Sequence, residues 1–208
     1  MGGWSRGEAI VLLGTFQLIS VLLNTFITPN LQWFGDQVKN GALDDVLLKP
    51  VSSLVLATLS RCQPLGMVHL ALALATVVLG LWDLGLVPSM AAILGWLVLL
   101  AVGLVVTWAA RVLVASVTLW FPSIGLDVVF SSFWQFARYP VSIYREPLPF
   151  ILTYVVPVAF ISTLPAQALT RGARLEHVFW GALVSLGAIV VVQFVWTSGL
   201  RRYTSATS

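Results

Sequence analysis

The stretch "AAILGWLVLLAVGLVVTWAA", Ala91 to Ala110, runs for twenty residues without a single charge. A helix needs about 20 mostly apolar residues to cross roughly 30 Å of hydrocarbon. The stretch, entered near Met90, therefore reads as a transmembrane span, 90–110. Four more charge-free runs surround it: 9–27 ("AIVLLGTFQLISVLLNTFI"), 65–82, 148–165 and 178–200. They are expected to be helices, because an open strand edge leaves unpaired backbone groups in lipid. The fold class that follows is all-α, a polytopic membrane helix bundle of five predicted spans in one transmembrane domain covering 1–208.

Composition agrees. The chain is 59% hydrophobic and 9% charged, against about 25% charged in an ordinary soluble domain, so lipid must solvate much of its surface. The net charge of +3 is spread along the chain. That scatter differs from the clustered basic face of a nucleic-acid binder, and no nucleic-acid partner is expected. Cys62 is the one cysteine, which excludes an internal disulfide and a cysteine metal cage. The first run is longer than the roughly 7–15 apolar residues of a signal peptide and precedes no small-x-small cleavage site, so it reads as a permanent anchor.

Orientation follows the lysines and arginines. With the loop after the first span in the cytoplasm, the inside holds Lys39, Lys49, Arg61, Arg111, Arg138, Arg145, Arg201 and Arg202. The outside holds Arg6, Arg171 and Arg174. The third run continues past Arg111 as "RVLVASVTLWF". About thirty helical residues would measure about 45 Å, so the span is expected to end at Arg111 and its extension to lean along the inner surface. Trp120, Phe121, Phe133, Trp134 and Tyr139 would form that interface's aromatic belt.

Between the first two spans lies a charged island, "NGALDDVLLKPVSS", Asn40 to Ser53. Upstream, Asn30 is expected to cap a short helix whose Leu31, Phe34 and Val38 make an apolar stripe. Gly41 should break that helix. A second short helix is expected in "ALDDVLLKP", with Leu43, Val46 and Leu47 on one face. Asp44 and Asp45 sit in its first turn and Lys49 in its last, the favourable order for the helix dipole, and Pro50 stops it. Two readings stay open for segment 30–50: an interfacial helix pair resting on headgroups, or a docking element for a soluble partner. A lipid-resting helix favours lysines, whereas this one carries more acid than base.

The chemistry a catalyst or pump would need is missing from the sequence. The eight carboxylates (Glu8, Asp36, Asp44, Asp45, Asp83, Asp127, Glu146, Glu176) all fall outside the predicted spans, which argues against a proton-driven carrier. There is no H-E-x-x-H, G-x-S-x-G or G-x-x-x-x-G-K-[ST] pattern, so the chain is expected to be no enzyme, with no catalytic residue, no metal and no nucleotide site. His69 lies within the second span and reads either as an interhelical hydrogen-bonding group or as a functional one. Gln17, Asn24 and Gln193 likewise either bond neighbouring helices or line a polar path.

The island, with its Gly-x-Leu-Asp followed by a Leu-Leu-basic-Pro run, resembles the cytoplasmic segment of type-2 ATP-binding-cassette permeases. The stretch "FARYPVSIYREPLPFILTYVVPVAFISTLPAQAL", Phe136 to Leu169, is similar to that family's Tyr-Pro element, proline-containing span and closing Pro-Ala. The likeness is closest to the short bacterial branch and covers nearly the whole chain. It implies six spans, of which this chain lacks the first. It also implies a multi-pass permease subunit of the bacterial inner membrane, paired with a second permease, identical or related, and surrounded by lipid. A cytoplasmic P-loop ATPase dimer, which would hold the ATP and Mg, would drive export. Under the resemblance, Gly41, Leu43, Asp44, Asp45, Val46, Leu47 and Pro50 form the ATPase-coupling helix, with Leu43, Val46 and Leu47 as its buried knobs. Arg138, Tyr139 and Pro140 form the cytoplasmic entry of the fourth span, and Pro157 a gating kink. Arg171 and Arg174 meet anionic headgroups or substrate, or belong to a solvated loop. The alternative function is a non-transporting scaffold or ion channel, although the spans show only scattered Gln, Asn, Ser and Thr.

Overall fold

The computed structural model describes residues 3–44, 48–121 and 127–202. Every regular element among them is helical. Helix α1 (Arg6–Leu22) passes through a π turn, Leu23–Ile27, into α2 (Thr28–Lys39) without a break. There follow α3 (Ser53–Leu59), α4 (Met67–Asp83), α5 (Met90–Val117), α6 (Asp127–Phe136), α7 (Thr163–Arg171) and α8 (Leu175–Leu200). Four stretches are long and apolar enough to cross a membrane: Arg6–Lys39, Pro64–Asp83, Met90–Val117 and Leu175–Leu200. This is the all-α membrane bundle that the sequence implies.

The predicted fourth span, 148–165, needs correction. It is a chain of short pieces: a helical turn at Leu148–Phe150, a π turn at Ile151–Val155, a 3-10 turn at Val158–Phe160, and then α7. Pro157 is the cause. It has no N–H to donate, and its ring pushes the preceding residue out of helical conformation. Val156 accordingly sits at φ −115°, ψ 93°. Neighbouring polar groups are bonded within the protein. Val156 N–H donates to Ile151 O at 2.8 Å, Ser162 Oγ donates to Ala137 O, and Val141 N–H donates to Thr163 Oγ1 at 3.3 Å. Residues 158–166 are all buried, so this irregular backbone is lined by protein, as irregular backbone at membrane depth must be.

Helix α5 is the central element, packed against α8, α7 and α1. It continues as helix past Arg111 to Val117, 28 residues or about 42 Å in all. The Arg111 guanidinium lies 4.2 Å from the Phe130 ring centre of α6. Phe16, Ile19 and Leu23 of the first helix meet Leu99, Val102 and Val106 of α5 and Leu152, Val158 and Phe160 of the broken segment in the main core. The buried Trp96 Nε1–H donates to Thr15 Oγ1 at 3.2 Å and ties α5 to α1.

Between α1 and α4 the backbones nearly touch. A Cβ on Gly14 would lie 2.8 Å from Val77 N, and one on Gly80 would lie 2.7 Å from Val11 N. The antiparallel pair thus sets Gly7, Val11 and Gly14 against Gly80, Val77 and Ala73, the small-residue contact that lets membrane helices gain dispersion energy without help from the hydrophobic effect. Thr76 Oγ1 adds a hydrogen bond to Gln17 Oε1 at 3.3 Å, so Gln17 does join two helices. Asn24 instead accepts from Thr28 Oγ1 within its own helix, at 3.2 Å. His69 and Gln193 lie on exposed faces of α4 and α8. The outward faces of those two helices are apolar, with Leu72, Val78 and Leu79 on one and Phe179, Leu186 and Phe194 on the other.

Gly14→Val and Gly80→Val should each wedge α1 from α4, at about 1–3 kcal/mol. They are expected to lower the melting temperature in detergent. Gly187→Ala, whose new Cβ would meet nothing within 4 Å, should leave it unchanged.

Candidate functional site

At the Lys39 end of the bundle, α2, α3 and the loop between α3 and α4 form a platform, and Pro29 starts it. A proline inside a helix removes one N–H and crowds the carbonyl four residues back, here Thr25. The helix widens to a π turn at Leu23–Ile27, one of the known ways to absorb such a defect. The released Thr25 carbonyl accepts the N–H of Gln63 at 3.0 Å. The helix continues through the proline because another segment takes up the lost bond.

Asn30 completes the join. Its side chain is fully buried. Nδ2 donates to Phe26 O and, at 2.7 Å, to Arg61 O; Oδ1 accepts from Arg61 N–H at 2.7 Å and from Ser60 Oγ at 2.9 Å. The expected N-cap at Asn30 is thereby corrected. The residue lies inside α2, and its amide carries tertiary bonds that a capping geometry would have spent on its own helix. The Arg61 guanidinium stacks 4.7 Å from the Trp33 ring centre.

The apolar stripe of α2 packs as its spacing predicts. Leu31, Phe34 and Val38 are buried with Ala57 of α3, Val112 of α5 and Val192 and Trp196 of α8. The Phe34 and Trp196 rings are 4.7 Å apart, and Trp196 Nε1–H donates to Ser53 Oγ at 3.1 Å. Gly41 ends α2 at φ +69°. Gly41 N–H donates to Val38 O at 3.3 Å and Ala42 N–H to Gln37 O at 2.9 Å, which is the Schellman pattern that a left-handed glycine permits.

Beyond Gly41 the structure divides the expected coupling residues. Leu43 is 0% exposed and belongs to the same cluster as Phe34 and Val38. In this chain Leu43 packs inward: an apolar side chain just past a tight turn finds the bundle's own core. Asp44 is half-buried, and its carbonyl accepts Leu48 N–H at 3.0 Å, the spacing of a helical turn. Leu48 is 83% exposed, and Lys49 and Pro50 are exposed beside it. Asp45, Val46 and Leu47 lie outside the described residues.

The structure does not bring Arg138, Tyr139 and Pro140 to the platform. The Arg138 guanidinium is 5.7 Å from the ring centre of Phe16, in the second half of α1. The Trp134 ring lies tilted against the same Phe16, with centres 5.0 Å apart. Two residues beyond Pro140, Ser142 Oγ accepts from Trp4 Nε1–H at 3.0 Å. From the Arg111–Phe130 contact, α6 and the turn after it lead toward the Trp4 end, where Ser162 holds Ala137 and Thr163 holds Val141. Pro157 marks a full break where a kink was expected.

At that opposite end a clamp joins α1 to α7. Arg171 Nε donates to Glu8 Oε1 at 2.6 Å and Nη2 to Glu8 Oε2 at 3.0 Å, a two-pronged ion pair. Nη2 also donates to Gly3 O at 2.7 Å, and the guanidinium lies 5.1 Å from the Trp4 ring centre. Hydrogen bonding to Glu8 raises the pKa of Arg171 above its ordinary value. Ser5 and Glu8 form a reciprocal capping box that fixes the carboxylate.

A family model described as ABC-2 family transporter protein matches residues 1–207. The chain belongs to the ABC-2 transporter family. No curated protein and no solved structure matches it. As an ABC-2 transporter protein it is a membrane permease component, in keeping with its four long apolar helices.

Sequence patterns alone missed the Asn30 join, the exposure of Leu48 and the Glu8–Arg171 clamp. Two signals were present. Pro29 requires that the Thr25 carbonyl find a partner, and Ser5-x-x-Glu8 is a capping-box pattern.

Asn30→Leu should cost about 2–4 kcal/mol, because it leaves buried backbone and hydroxyl groups unpaired. The expected result is a lower melting temperature together with faster tryptic cleavage after Arg61.

Proposed function

We propose that this ABC-2 permease subunit is driven by a separate cytoplasmic P-loop ATPase dimer and works as an exporter in a bacterial inner membrane, beside a second permease chain. ATP and Mg would sit on the ATPase. The supporting observation is the segment as described at residues 41–44 and 48–50. It leaves the bundle through a left-handed glycine, is rooted by the fully buried Leu43, and presents Leu48, Lys49 and Pro50 outward. An exposed leucine on a firmly seated turn is a poor arrangement for water and a good one for a groove on a soluble partner.

In this reading the acidic residues Asp44 and Asp45 supply charged contacts, and Leu48, with Val46 and Leu47, supplies the apolar contact. Gly41 and Pro50 bound the element. The join at Pro29, Thr25 and Asn30 carries force from the platform into the first helix. The break at Pro157 supplies a segment whose short pieces can shift against α5 as the pathway opens.

The test is recovery of the tagged chain from its native membranes in mild detergent, with mass spectrometry of what is retained. The wild type should bring down a P-loop ATPase. Leu48→Asp should insert normally and lose at least tenfold of that recovery, whereas Leu43→Asp should lower the yield of folded protein itself. Undiminished ATPase recovery with Leu48→Asp would remove this segment from the contact.

A further inference from the structure

The clamp end of the bundle holds a polar cavity of about 220 Å3, lined by Gln167 and Arg171 of α7, by Gly172, and by Arg174 and His177 at the start of α8. All of its side-chain lining can donate hydrogen bonds, and no carboxylate lines it. Glu176, the nearest acid along the chain, is absent from the lining.

The two arginines stand differently. Arg171 has Nε and Nη2 committed to Glu8 and Gly3, while Nη1 makes no hydrogen bond among the described residues. Its position is set by four contacts, counting the Trp4 ring, and one edge of the fork remains available. Arg174 makes no ion pair among the described residues and is exposed. Glu8 pairs with Arg171, whereas Arg174 has no ion-pair partner among the described residues, although Glu176 is near enough to act on His177.

We infer that this cavity binds a phosphate group, either on a lipid headgroup or as a free anion. Guanidinium forks match the tetrahedral oxygens of phosphate and are less strongly hydrated than an ammonium, so they give up less on binding. Arg171 is already held in place, which removes part of the ordering cost. The imidazole of His177 and the amide of Gln167 add neutral donors. The cavity lies where α8 begins its long apolar run, the level at which a bilayer presents its phosphates. A carboxylate-rich or cationic ligand has no counterpart in this lining.

The inference is independent of ATP coupling and is tested by binding alone, so its failure leaves the ATPase proposal standing. The purified full chain in a maltoside detergent is titrated with dioctanoyl phosphatidic acid, dioctanoyl glycerol and inorganic phosphate, followed by tryptophan fluorescence and melting temperature. Phosphatidic acid should bind at least tenfold more tightly than the glycerol. The Arg174→Ala, His177→Ala double variant, which spares the Glu8–Arg171 clamp, should melt like the wild type without ligand and lose about tenfold in affinity, as expected for removal of a charge-assisted bond. Inorganic phosphate binding as tightly as the lipid would identify a free anion as the ligand; much weaker phosphate binding would identify the headgroup. Equal binding of phosphatidic acid and dioctanoyl glycerol, or unaltered affinity in the double variant, would overturn the inference.

Discussion

One carbonyl oxygen, that of Thr25, sets the condition on which the platform depends. Pro29 deprives it of its helical partner, and an unpaired carbonyl at membrane depth is costly. The helix answers by widening into a π turn, and the loop after α3 answers with the N–H of Gln63. Once that loop is at the helix, Asn30 can bond both sides of Arg61 and the hydroxyl of Ser60. The consequence spreads outward. Fixing residues 60–63 fixes the exit of α3, and α3 helps bury Phe34, Leu43 and Trp196.

The two ends of the molecule use different chemistry for similar ends. The platform is held by neutral amide and hydroxyl bonds around a buried asparagine, which keep their strength where water is scarce. The clamp end uses a two-pronged ion pair at an exposed site, where the arginine is steadied by a backbone carbonyl and an aromatic ring. Between them the helices rely on close approach, as the glycine contacts of α1 with α4 show. Neither device requires a large buried polar network in the middle of the bundle, where unmet polar groups are most expensive.

How far the sequence reveals this structure depends on the range of the interaction involved. Helices α1, α4, α5 and α8 follow from uninterrupted apolar runs, because length and apolarity alone decide whether a helix can span. The stripe Leu31, Phe34, Val38 and the stop at Gly41 are local patterns and were readable for that reason. The run 148–165 is equally apolar but carries Pro149, Pro157 and Pro165. Hydropathy registers its composition and ignores its missing donors, so a span was expected where the backbone breaks. Asn30 was misplaced for another reason: its partner is Arg61, and only tertiary contact distinguishes a capping amide from one that joins two segments. The position of Arg138 is likewise a matter of tertiary contact. Counting positive charges assigns a side by sequence order, whereas the aromatic ring of Phe16 and the hydroxyls of Ser162 and Thr163 determine where that turn rests.

The first helix has a mechanical property that its hydrogen bonds do not express. From Arg6 to Lys39 it runs for 34 residues through the π turn at Leu23–Ile27, about 51 Å along its path. A helix of that length is a lever: tilting it by about 10° about one end carries the other through about 9 Å. Glu8 rides near one tip and the platform stitching near the other. A modest rotation imposed at the platform would therefore exceed the reach of the ion pair at the far tip, so the two ends of this chain are connected by geometry, without a relay of side chains between them.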